Sequence, residues 1–132
     1  MPDLRYWHGG APGLTPGDLI EPRPGDDRRH LVDGCPRCEA RKAGQPLADD
    51  HARADRIYVT TDRDYARVYA AGYPRGGLYV VEPLGELEET TGVDDPAPSW
   101  AVTSARVVAV YDPVVVATRK DWRRWMRRYG GI

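Results

Sequence analysis

The chain predicts an α+β fold, on three observations. Its strand-like segments are short, and only one helix separates any two of them, which argues against a parallel α/β sheet. A dense run of turn residues also keeps long regular elements out of the N-terminal part: Gly9-Gly10, Pro12-Gly13, Pro16-Gly17, Pro22, Pro24-Gly25, Gly34 and Pro36. Regular text begins near residue 55. Arg56 to Thr60 has the β-branched and aromatic content of a strand. Asp62 or Thr61 can cap a helix over Arg63 to Ala71, in which Tyr65, Val68 and Tyr69 share a face, and Pro74 with Gly76-Gly77 ends it. Leu78 to Glu82 reads as a strand stopped by Pro83, Leu84 to Glu89 as a shorter extended piece, and 106–111 and 114–116 as two strands broken by Asp112-Pro113. Thr118 caps a last helix that carries Asp121 in its first turn and runs to Tyr129, with Gly130-Gly131 as its stop.

With 132 residues the chain fits one domain over 1–132, with a loop insertion at about 22–54 and a C-terminal helix at about 118–129. Nineteen basic against twenty acidic residues leave a net charge of -1, so bulk charge predicts no general affinity for nucleic acid. The distribution is uneven, because Arg119 to Arg128 holds six bases and one acid, +5, and the rest of the chain carries -6. No apolar run approaches the ~20 residues that span a bilayer, and the N-terminus lacks the hydrophobic stretch of a secretory signal. A soluble, cytoplasmic protein, a monomer without membrane contact, is the expectation.

Four pieces carry chemistry: Tyr-Trp-His-Gly-Gly at 6–10, Ile-Tyr-Val-Thr-Thr at 57–61, the helix bearing Tyr65 and Tyr69, and Tyr-Val-Val-Glu-Pro-Leu-Gly-Glu-Leu-Glu-Glu at 79–89. In order and spacing, together with Gly17-Asp18-Leu19-Ile20, Pro98-Ser99-Trp100 and Ala105-Arg106-Val107-Val108, they resemble the small bacterial rifamycin ADP-ribosyltransferases, of the diphtheria-toxin type, over about residues 6–112. The resemblance implies two small packed β-sheets and NAD as a substrate. It implies that His8 bonds an NAD ribose hydroxyl and that the Gly9 backbone meets the nicotinamide amide. Tyr58 and Tyr69, with ten residues between them as in the wider superfamily, would sandwich the nicotinamide ring, with Tyr65 alongside. Catalysis then falls to His8, Tyr58 and an acid, Glu88 or Glu89. The family has an aspartate where gapless counting reaches Thr90, and Glu89 is adjacent. Such residues suit the reaction, because breaking the bond to nicotinamide creates a cationic ribose that a placed carboxylate stabilises. Taken singly, His8 equally fits a turn histidine, the tyrosines packing aromatics, and the glutamates solvated loop acids.

Two features lie outside the resemblance. His30, Cys35, Cys38 and His51 offer two thiolates and two imidazoles, a set that fits tetrahedral zinc, against which stands a pair of free loop thiols. The rifamycin enzymes lack this insertion, so it is also a place where a different acceptor could be recognised. In the last helix Trp122, Trp125, Met126 and Tyr129 fall at i, i+3, i+4 and i+7, as expected for an aromatic face docked on the sheet, with arginines outside. The alternative for those arginines is a surface for phosphate, RNA or an acidic partner. The function expected is transfer of ADP-ribose from NAD to a rifamycin-type small molecule, a nucleic acid or a protein. The alternatives are an RNA 2′-phosphotransferase-like enzyme and a non-catalytic, zinc-stapled binding module.

Overall fold

The computed structural model describes residues 5–22, 43, 55–91 and 96–130. These form seven strands and two helices: β1 Tyr6–Gly10, β2 Leu19–Ile20, β3 Ile57–Thr60, α1 Arg63–Ala71, β4 Gly77–Leu84, β5 Glu88–Glu89, β6 Ser99–Val102, β7 Ser104–Asp112 and α2 Arg119–Tyr129. All strands join one antiparallel sheet in the order β2-β7-β4-β1-β3-β6-β5. The class is α+β, as expected, but the two packed sheets implied by the resemblance are one sheet. Its two parts meet at a single bridge, Trp7↔Thr60, whereas β1 pairs with β4 at every residue from Tyr6 to Gly10 and β3 pairs with β6 along its whole length.

Both helices lie on one face of the sheet. Their core joins Trp7, Tyr65, Val68, Leu78, Trp122 and Trp125. The other face buries Ile57, Val59, Tyr79, Val81, Val102 and Val107 in a second core. The α1 helix begins where Asp62 accepts from the Tyr65 amide, and it settles directly on β1. A Cβ on Gly9 would lie 1.8 Å from the Ala66 carbonyl oxygen, so only glycine permits this approach. Gly9→Ala is expected to cost about 1–3 kcal/mol or more, read as a fall in melting temperature, because both colliding atoms belong to rigid backbone.

The α2 helix starts with the expected cap in its reciprocal form. Thr118 Oγ1 accepts from the Asp121 amide at 3.1 Å, and the Asp121 carboxylate accepts from the Thr118 amide at 3.0 Å. Gly130, at φ 69°, supplies the left-handed stop. Thr118→Ala should remove about 1 kcal/mol of stability in a denaturant titration. The aromatic face of α2 packs against α1, where Tyr129 donates to Asp62 at 2.9 Å and its ring tilts onto Tyr65.

Three expected boundaries shift. β4 continues through Pro83 to Leu84, where it pairs on one side only, with β7 at Ala105 and Ser104, because β1 begins at Tyr6, opposite Val81; a one-sided strand end tolerates proline. The extended piece at 84–89 shrinks to Glu88–Glu89, since Gly85 turns the chain at φ 107°. Residues 114–116 form no strand; the Val115 amide donates instead to the Gly76 carbonyl at 2.7 Å, with its side chain in the helix-side core.

Candidate functional site

The seam between β1 and β3 positions the groups that the sequence singles out. Beyond Trp7↔Thr60 the two strands part, and among the described residues no pairing joins His8, Gly9 or Gly10 to β3. The His8 ring closes part of this gap, with Nδ1 2.9 Å from the Tyr58 carbonyl oxygen. A carbonyl only accepts, so Nδ1 carries the proton, and a neutral His8 presents Nε2 as an acceptor. Burial holds the imidazole below its ordinary value of 6.5, with the bond to Tyr58 opposing it more weakly. Gly10 keeps space beside that acceptor, because a Cβ there would stand 2.9 Å from Nε2.

A lowered folded-state pKa has a definite consequence for stability. The unfolded chain takes up a proton that the folded imidazole resists, so His8 favours folding fully above 6.5, and this contribution is lost as pH falls through the folded value. The melting temperature of the native protein should therefore drop more steeply between about pH 7 and 5 than that of His8→Gln.

Tyr79 is the register partner of His8 on β4 and is fully buried. Its hydroxyl donates to the Ala11 carbonyl at 2.7 Å and accepts from the Leu14 amide at 3.4 Å, tying the loop after β1 to the strand beside His8. Burial, as the larger cause, raises its phenol pKa. Sequence reasoning assigned Tyr79 no role; the signal was its place in a strand that also contains the Val-Val of the resemblance.

The three other tyrosines occupy different surroundings. Tyr58 is half-buried on β3, at the gap. Tyr65 is 2% exposed in the helix-side core, edge-on to Tyr69 with ring centroids 5.2 Å apart and bonded hydroxyl to hydroxyl at 2.9 Å. Tyr69 is half-buried at the rim of that core.

Strand register separates the two candidate acids. Glu88 pairs with Ala101, which pairs with Tyr58, so these three side chains form one row on one face. Glu89 pairs with Trp100 and through it with Val59, on the opposite face, where Trp100 meets Tyr6 edge-on. Two interstrand spacings put Glu88 and Tyr58 about 10 Å apart at the backbone. Ala101 between them is too small to block either side chain. The Thr90 of gapless counting is buried, on Glu88's face, with its amide bonded to the Ser99 carbonyl. Beside it the Ser99 hydroxyl is buried with no hydrogen-bond partner among the described residues.

The proposed zinc ligands His30, Cys35, Cys38 and His51 lie outside the described residues, as does most of the 22–54 insertion. Among the described residues no group of three or more His, Cys, Asp or Glu side chains could hold a metal. No described helix is long and apolar enough to cross a membrane. No family model matches the chain, and no curated protein matches it.

Proposed function

We propose that the protein is an NAD-dependent ADP-ribosyltransferase, a reading supported by the ordered motifs and by one observation above all. The His8 imidazole is held in a single tautomer by the Tyr58 carbonyl, across a seam that a single bridge joins among the described residues. This brings His8 and Gly9 to the backbone of Tyr58, fifty residues away in sequence, at one gap. A neutral histidine with a free-facing acceptor nitrogen suits a ribose hydroxyl, and Gly10 leaves room for it.

In this reading the Nε2 of His8 accepts from a ribose hydroxyl, and the Gly9 backbone aligns the nicotinamide amide. Tyr58 packs against the nicotinamide ring, with Tyr69 as the proposed second wall. The bond from ribose C1′ to the ring nitrogen breaks with its electron pair going to nicotinamide. Positive charge develops on the ribose, the Glu88 carboxylate stabilises it, and an O–H or N–H acceptor bonds to C1′ and releases its proton. The cysteine insertion, with its proposed zinc, is the candidate for selecting that acceptor.

Calorimetric titration with NAD, coupled to chromatographic detection of nicotinamide, tests the proposal. Binding below millimolar concentration, weakened in His8→Ala, is the expected result. No heat and no nicotinamide at millimolar NAD would overturn it.

A further inference from the structure

We infer that the outer side of α2 binds single-stranded nucleic acid, with arginines on its phosphates and an apolar hollow taking a base. The observation is a division of labour among the cations of this helix. Arg124 is paired with Asp121 at 3.3 Å, and Arg128 lies 3.6 Å from Asp62 and 3.4 Å from Asp64. Arg119, Arg123 and Arg127 are exposed and have no carboxylate partner among the described residues. They stand at i, i+4 and i+8, one stripe with a cation every ~6 Å along the axis.

Beside that stripe run Trp122 and Met126, also four residues apart. With Arg123 and Arg127 they line an open, almost wholly apolar hollow of about 360 Å³, room for a planar ring. A charge stripe alone would serve any anion. Joined to an apolar hollow at the same period, it fits a polymer that carries one charge and one flat apolar face per repeat. A polynucleotide strand has that form, its phosphates recurring at a comparable interval and its unpaired bases available for stacking. A duplex hides its base faces. An extended acidic peptide turns successive side chains to opposite sides.

The stripe also works against the helix that carries it. Like charges four residues apart repel, and Arg119 and Lys120 occupy the first turn, where the helix dipole disfavours cations. Elsewhere the chain is net negative, so α2 is where a polyanion is attracted. None of this depends on the NAD reading.

Fluorescence anisotropy with a labelled oligothymidylate, between about 50 and 200 mM salt, tests the inference. Three phosphate contacts should give a log–log salt slope of about -2. The double variant R123Q/R127Q should bind about tenfold or more weakly with a shallower slope. Met126→Gln, which puts a polar group into the hollow without changing its charge, should weaken the oligonucleotide while leaving heparin binding much less affected. Circular dichroism melting identifies the variants that remain folded, and the exposed arginines supply a pair that should. The inference is overturned if the native protein does not bind at the lowest salt, or if folded R123Q/R127Q binds as well as native. It is also overturned if a duplex of equal length binds as tightly as the strand, or if an acidic peptide containing leucine competes at equal charge concentration.

Discussion

Glu88→Gln is expected to lower nicotinamide release from NAD by about a hundredfold or more, with NAD affinity almost unchanged. Glu89→Gln should stay within a few-fold of native. The kinetic form follows from what each group meets. A carboxylate that stabilises a charge present only as the bond breaks acts on turnover, whereas His8, which in the proposed reading would touch ground state and transition state alike, would act on affinity. The choice between the glutamates follows from the sheet. Gapless counting alone points to Glu89, nearer the family position. The ladder through Ala101 instead puts Glu88 on the face of Tyr58, with Thr90 beside it, and turns Glu89 toward Trp100, on the face that His8 shares with Tyr79, so the choice of Glu88 rests on Tyr58 as a wall of the site. Measured turnover of both variants decides the matter. Loss in Glu89→Gln with retention in Glu88→Gln would place the reacting ribose on the other face of the sheet, and native rates in both would remove these residues from the chemistry.

Trp125→Ala is expected to cost about 3–5 kcal/mol in a denaturant titration, the largest stability effect of any single truncation on α2. Trp125 is fully buried, meets Trp122 edge-on at 5.2 Å, and has the guanidinium groups of Arg67 and Arg124 at 5.6 and 6.0 Å from its ring. Truncation removes that contact area where helix-to-helix packing leaves little freedom to collapse. Trp125→Phe should cost much less than the alanine change, because the indole N–H is buried with no acceptor among the described residues and its removal offsets part of the lost area. Arg124→Ala and Arg128→Ala should each cost no more than about 1 kcal/mol, since both side chains are about half exposed and their ion pairs are screened by solvent. Arginine changes as damaging as Trp125→Ala would show that the ion pairs, rather than the aromatic face, hold α2 in place.

Local rules made much of this legible. Asp62 and Thr118 cap the helices where their side chains can reach free amides, Gly130 stops α2, and Ile57 to Thr60 forms the expected strand. Those features depend on neighbours in the chain. The site depends on partners across the sheet, which one sequence does not encode locally. Whether Glu88 or Glu89 faces Tyr58 is decided by register through Ala101, and the role of Tyr79 by a loop some sixty-eight residues earlier. β6 carried no strand signal because Pro98 precedes it and Ser99 opens it, yet it is the strand that connects the acids to Tyr58. His8 was legible as a residue type, while its tautomer became readable only once the Tyr58 carbonyl stood opposite its ring.

The single bridge at Trp7↔Thr60 makes the sheet two stiff plates fastened at one rivet, with α1 laid along them as a splint. Among the described residues no ladder of hydrogen bonds fixes the width of the opening, which the His8–Tyr58 bond crosses. The seating of α1 bears on it too, above all through the contact of Gly9 with the Ala66 and Ala70 backbone. Val68 and Ala70, both fully buried on α1, thereby bear on the width of the opening. A methyl group gained or lost beneath that splint is transmitted as a change in aperture.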